Sequence, residues 1–385
     1  MSPLDTLRQP NDIAATSLAS HAPAWPVSGR RGAFRGFRDW VAWPLALASS
    51  SVLHYSGLLG WLERRRRTAA AARIVVLAYH RVSDDLPSCR NLCVSPSVFR
   101  KQMEYIAHSR YRPISLATLA EGLEGRSELR GDLIAITFDD GYRDVFTHAL
   151  PALREFGVPA TIFLTTGWID AQQTPWWDRL GRAVARLRDE GSKTSANGRD
   201  RAPDPRVPQF IWQQCCRAAL CKGRRMVAAT DAIIEALKPI GSRKREEILA
   251  GIEAGVKPDH ASPLMLTWEM VRAMRGDLIS FGAHTVNHPL LSQVDLPEIR
   301  AEIADSKRRI EAVLGEEVTT FAYPNGASSD FNEQVTAVVR AAGLKLAFTM
   351  TAGANRPGVD PLSLKRYGVP NIPAHALAAR LRWLR

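Results

Sequence analysis

Two carboxylates, Asp139 and Asp140, stand side by side after the apolar run Leu133 to Phe138 and directly before Gly141. A short apolar run with such a boundary reads as a buried strand, so both acids fall at its C-terminal end. Neighbouring side chains diverge across a strand, but a following glycine lets the chain turn until both acids face one cavity. In parallel α/β folds that end of the strand is where sites are built. The alternative, a hairpin turning on Asp-Gly, needs a returning strand, whereas Tyr142 to Phe156 reads as a helix.

A second group, His284-Thr285-Val286-Asn287-His288, follows the apolar stretch Leu278 to Phe281 and the small pair Gly282 and Ala283. Two imidazoles four residues apart can meet one ion if the chain turns helically beyond His284. Taken alone, such a pair is equally well explained by capping or core packing. Joined to Asp140, it makes two imidazole nitrogens and one carboxylate, the ligand set of an open catalytic zinc site with positions left for water and substrate. Asp139 is then the candidate general base for that water.

The elements that must position these residues are short. Apolar, β-rich runs near 74–80, 133–139, 160–166, 279–284, 319–323, 344–350 and 362–369 alternate with helical segments. That rhythm predicts an α/β fold around a parallel sheet, open or closed into a barrel. Helix punctuation supports it. Ser95-Pro96 opens a helix whose Phe99, Met103 and Ile106 share one face, and Asp295 with Pro297 opens another, carrying Ile299, Ile303 and Ile310 and stopped by Gly315. From about 168 to 266 the rhythm breaks into a Trp-rich piece, a polar stretch and basic helical sequence, which predicts a helical insertion able to cover part of the site.

The formal net charge of the 385 residues is +12, and half of it sits in residues 1–73, where ten arginines face four acids. No nucleic-acid module is recognisable, so nucleic acid is not an expected partner. The uncharged segment from Trp40 to Leu62 lies between arginines and ends against Arg64 to Arg67. It is long enough to span a bilayer, yet its prolines and serines suit an interfacial helix equally, and a helix packed on the domain stays open. Residues 40–67 are therefore an expected membrane contact, with the arginines favouring the cytoplasmic side over the periplasmic one. The expected organisation is a basic, partly disordered region 1–73 and one large domain over 74–385. Five cysteines without paired spacing point to reduced, structural thiols.

These residues resemble the polysaccharide deacetylase family, the NodB-homology group. Thr137-Phe138-Asp139-Asp140-Gly141 matches its first motif, His284 to His288 its second, and Phe321-Ala322-Tyr323-Pro324-Asn325-Gly326 is similar to its third. The resemblance covers roughly Ile74 to Val369 outside the insertion. It implies a distorted (β/α)7 barrel, a zinc or similar divalent ion on Asp140, His284 and His288, Asp139 as base, and an N-acylated saccharide as substrate.

Two departures stand out. The arginine that many members place at the start of the third motif to orient the base is Ala322 here; Arg366 on the last strand is the candidate substitute, the alternative being a structural arginine. The general acid, usually a His closing the final strand, is missing there, but Val76-Leu77-Ala78-Tyr79-His80 has the same shape near the start. This looks like the permuted arrangement of the branch acting on exopolysaccharides, with His80 protonating the leaving amine; the alternative is a His that only hydrogen-bonds at the barrel mouth. Tyr142, Tyr323, Asn325 and Arg366 are the candidate substrate contacts. Tyr142 and Trp168 could stack on a sugar ring, Trp176 and Trp177 serve packing equally well, and the Asn325 amide could donate to an oxyanion.

The expected function is removal of N-acetyl groups from an amino-sugar polysaccharide, oligosaccharide or lipid-linked glycan. A glycolipid deformylase or deacylase is the neighbouring alternative. A non-catalytic carbohydrate-binding protein on the same fold is the alternative of another class.

Overall fold

The computed structural model describes residues 72–84, 93–191, 204–257, 262–276 and 278–384. The apolar segment 40–62, the arginines up to Arg67 and almost all of the basic region 1–73 lie outside the described residues, as does Cys89. Among the described residues no helix is long and apolar enough to cross a membrane.

The chain opens with β1 (Arg73–Tyr79), β2 (Arg81–Val82), β3 (Cys93–Val94), α1 (Pro96–His108), β4 (Arg112–Pro113), α2 (Leu116–Leu123) and β5 (Asp132–Phe138). A π-helical turn, Val145–Ala149, runs into α3 (Leu150–Phe156), and β6 (Ala160–Leu164) and α4 (Thr166–Ala171) follow. Next come α5 (Trp176–Gly191), α6 (Gln209–Leu220), α7 (Arg224–Leu237) and α8 (Ser242–Ala254). The rest is α9 (Trp268–Met274), β7 (Ile279–Ala283), α10 (Leu296–Leu314), β8 (Thr320–Ala322), α11 (Glu333–Ala341), β9 (Leu346–Phe348), β10 (Tyr367–Gly368) and α12 (Ala374–Trp383).

The main sheet runs β10-β1-β5-β6-β7-β8-β9, with β4 beside the start of β5, and its pairings are parallel. Beyond β9, Phe348 bridges Leu364 in parallel, and Leu77 pairs Tyr367 on the other side of the same segment. The sheet therefore curls into a distorted (β/α) barrel whose seam lies where the last strand meets the first.

The pleat sorts the side chains. Val75, Leu77, Ile134, Ile136 and Phe138 pack outward against the helices, together with Phe99, Met103 and Ile106 of α1 and Ile299, Ile303 and Ile310 of α10. Ile74, Val76, Leu133, Ala135, Phe163, Ala322, Phe348 and Leu364 form the opposite set, joined by Leu116 and Leu119 of α2. Both faces of the sheet are thus buried, which is why its strands read as continuous apolar runs. In α10 the side chain of Asp295 accepts from Glu298 N at 2.9 Å and Gly315 ends the helix in the left-handed region, as the punctuation predicts. Helices α5 to α8, inside the expected insertion 168–266, build a second core from residues such as Leu180, Trp212, Ile234 and Leu249. This unit is fastened to the barrel beside the paired carboxylates: Leu266 N donates to Gly141 O at 2.9 Å and Arg143 N to Leu264 O at 2.7 Å.

Candidate active site

The inward register of the barrel selects the site. On β5 the inward positions continue through Thr137 to Asp139, and on β1 they continue from Val76 to His80. Asp140 would point away, but it adopts φ 71°, and Gly141 after it adopts φ 85°. A non-glycine residue in the left-handed region is uncommon, and aspartate is among those that tolerate it. The turn brings the second carboxylate into the same cavity as the first.

Asp140 Oδ1 lies 3.5 Å from His284 Nε2 and 3.6 Å from His288 Nε2. One ligand atom from each of the three residues falls within 4.8 Å of the others. His284 Nδ1 meets the carbonyl oxygen of Ala322 at 2.7 Å; a carbonyl only accepts, so Nδ1 carries the proton and Nε2 turns its lone pair inward. His288 N donates to Thr285 Oγ1 at 2.9 Å. Its ring stacks on Trp168, 5.3 Å between centroids, and meets Trp177 edge-on at 5.4 Å.

The donor set fits a divalent cation. Asp140 Oδ1 is buried and has no hydrogen-bond partner, a costly arrangement for a carboxylate oxygen unless a cation meets it. Burial pulls His288 down to about 3, which leaves its imidazole neutral as a ligand must be. Burial would raise Asp140, but the closeness of His284, His288 and His80 holds it below the usual carboxylate range. His284 moves up despite its burial, drawn by Asp140 and Asp139. Two ionised acids so close together in a buried pocket favour positive charge beside them.

Asp139 is held by Arg366. Nη1 donates to Oδ1 at 2.6 Å and Nη2 to Oδ2 at 2.8 Å, a two-point fork, while Nε reaches Thr349 O at 3.1 Å. Burial would raise Asp139; Arg366, then His284 and His80, more than offset it and keep the acid ionised. His80 Nε2 stands 3.9 Å from Asp139 Oδ2, and its side chain is 15% exposed. Burial lowers His80, with Asp140 and Asp139 opposing the shift.

Expected substrate contacts need correction at three positions. Arg366 is fully buried, engaged with Asp139 and not part of the cavity lining. Tyr142 is wholly buried in the core of the inserted helices; its hydroxyl donates to Asp178 Oδ2 at 2.6 Å and accepts from Trp177 Nε1 at 2.9 Å. Tyr323 is 1% exposed, stacks on Phe331 at 4.0 Å and donates to Leu362 O at 3.0 Å. Both tyrosines are turned away from the cavity by partners that satisfy their hydroxyls. Asn325 does line the cavity, in a left-handed conformation at φ 57°.

The cavity measures about 670 Å3 and brings His80, Asp139, Asp140, His284 and His288 together at one wall. The lining also includes Trp177 at the start of α5, weighed above between packing and sugar stacking, and Asp231, Ile234, Glu235 and Lys238 from α7 and its end, which sequence reasoning did not single out. Trp177 gave a weak signal as part of a Trp pair. The α7 residues gave none beyond membership of an insertion.

Residues 126–200 and 239–347 match the family model described as polysaccharide deacetylase. The poly-beta-1,6-N-acetyl-D-glucosamine N-deacetylase of Escherichia coli strain K12 is 31% identical over 109 residues, 28% of this chain and 16% of that enzyme, so the chain spans a minor part of its relative's length. Among solved structures, the Streptococcus pyogenes deacetylase PplD in complex with acetate superposes with a TM-score of 0.53 at 19% identity, covering 81% of this chain and 99% of that one. A polysaccharide deacetylase from Bacillus cereus does so with a TM-score of 0.50 at 16% identity, over 81% and 69%. At these identities the structural likeness establishes the fold.

Proposed function

Because this chain carries a polysaccharide deacetylase domain, we propose that it is a metal-dependent hydrolase removing N-acetyl groups from an amino-sugar polysaccharide. The observation that carries this is the buried Asp140 Oδ1, unpartnered and facing the Nε2 atoms of His284 and His288. A sugar-binding protein without catalysis has no use for such an atom beside an ionised, Arg-held second carboxylate. The Escherichia coli relative is named for deacetylating poly-beta-1,6-N-acetyl-D-glucosamine, and an exopolysaccharide of that kind is the substrate class we favour.

Asp140, His284 and His288 would hold the ion, zinc being the metal their donor set suits best. Bound there, a divalent ion lowers the pKa of water and polarises an amide carbonyl. Asp139, fixed in rotamer and charge by Arg366, takes the proton of the attacking water. The backbone amide of Asn325, which lines the cavity, would donate to the developing oxyanion. His80, with Nε2 3.9 Å from Asp139 Oδ2, would hand a proton to the departing sugar nitrogen.

The segment 40–67 supports placing the enzyme at a membrane surface, with the arginines after the apolar run favouring the cytoplasmic face. It also favours a second reading of the substrate, a lipid-linked glycan bearing an acetyl or formyl group.

Purified protein should contain about one equivalent of divalent metal by mass spectrometry and release acetate from N-acetylglucosamine oligomers. Chelation should stop release and added Zn2+ restore it. Metal without acetate, but with formate or acetate from glycolipid extracts, moves the substrate to the lipid. Protein that takes up no ion would overturn the hydrolase assignment.

A further inference from the structure

We infer that Glu302 is a positioning residue for the ion site: its carboxylate sets the backbone of the His284–His288 loop in the shape that lets both imidazoles reach one ion. This rests on Asp140, His284 and His288 being ligands, and goes beyond it by naming what holds them.

The loop has an unfavourable conformation of its own. Thr285 adopts φ 68° and His288 φ 56°. A β-branched residue in the left-handed region is a genuine outlier and persists only where its surroundings over-determine it. Those surroundings are two opposed sets of hydrogen bonds. On one side, Glu302 Oε2 accepts from Val286 N and from Asn287 N, each at 2.8 Å, and Oε1 accepts from Asn287 Nδ2 at 2.7 Å. On the other, Thr166 N donates to Thr285 O at 3.2 Å and Gly167 N to Val286 O at 2.9 Å. Glycine is needed at 167, since a Cβ there would stand 2.7 Å from Val286 O. The carboxylate takes the amides of the loop and the start of α4 takes its carbonyls.

Glu302 is 5% exposed and sits on the buried face of α10, between Ile299 and Ile303. An acid on the apolar stripe of a helix is out of pattern unless something faces it. What faces it is the stretch between the two histidines, through three charge-assisted hydrogen bonds. Glu302 is not one of the ligating residues. Its influence on the ion passes through the backbone it grips, as the outer partners of metal ligands do.

Metal-free full-length protein would be titrated with Zn2+ by calorimetry, comparing wild type with Glu302→Ala, Glu302→Gln and Glu302→Asp, with a melting curve of each metal-free variant. Alanine removes every acceptor and should weaken Zn2+ binding by about 10- to 100-fold. Glutamine keeps an oxygen for the two amides, and its NH2 can donate to Asn287 once that side-chain amide turns over, so it should stay within roughly threefold of wild type. Aspartate, one methylene short, should fall between them. Variants that melt early but bind Zn2+ as tightly as wild type would reduce Glu302 to a fold-stabilising role and overturn the inference. Should the alanine variant not fold, the aspartate variant decides: wild-type affinity there overturns the inference equally. Wild-type protein that binds no Zn2+ would remove the ion site itself, a failure plainly distinct from the other two.

Discussion

The barrel rim and the inserted helices meet the same cavity with different kinds of residue. On the rim, Asp139, Asp140 and His284 are nearly inaccessible, and their partners come from other strands or from the loops that end them. On the insertion, the cavity-facing side chains come from the start of α5 and from α7 and its end, within a unit that has its own core. Glu235 and Lys238 there pair with each other at 2.6 Å, on a wall open to solvent. Displacing one rim residue disturbs ring geometry, whereas α7 can be redecorated without moving a strand. On the proposed function, the reaction is built into the sheet and the choice of glycan falls to the inserted helices.

Three substitutions would break or sharpen that contrast. Asp139→Asn should lower kcat by about 10²- to 10⁴-fold, the usual scale for a general base, while Zn2+ affinity by calorimetry stays near wild type. Normal turnover would take Asp139 out of the reaction. Arg366→Met removes one member of a buried ion pair and should cost about 3–5 kcal/mol in urea unfolding, because Asp139 is left without a counter-charge. A stable variant would mean that water or another cation reaches Asp139. On the insertion, Lys238→Ala should leave kcat for short oligomers alone and change KM by roughly tenfold or less, as loss of uniform binding does. A collapse of kcat there would show that α7 joins the chemistry and would erase the distinction between the two regions.

Much of the rim was legible in the sequence because apolar strands ending in Asp-Asp-Gly and in Gly-Ala-His leave few places for those side chains to go. The left-handed turn at Asp140 was implied by the glycine after it. Arg366 was harder, since its partner lies 227 residues away and nothing local distinguishes an inward arginine from a surface one. The seam explains the displaced acid. β1 and the last strand are neighbours in the ring, so a His ending β1 reaches the same cavity that a His ending the last strand would reach. The tyrosines misled for the opposite reason: Tyr142 and Tyr323 stand inside or beside the motifs, but hydroxyls that find buried partners draw the rings inward. Glu302 did leave a trace, an acid between two buried isoleucines of α10. The lining of α7 left none, because polar residues on a helix look alike whether they face a cleft or open water.

The closing segment through Leu364 and Tyr367 also gives the protein a sense of order in time. A ribosome delivers His80, both aspartates and both histidines well before it delivers Arg366, so a nascent chain holds all three candidate ligands while Asp139 still lacks its counter-charge. The buried ion pair can therefore form only with the segment that shuts the ring.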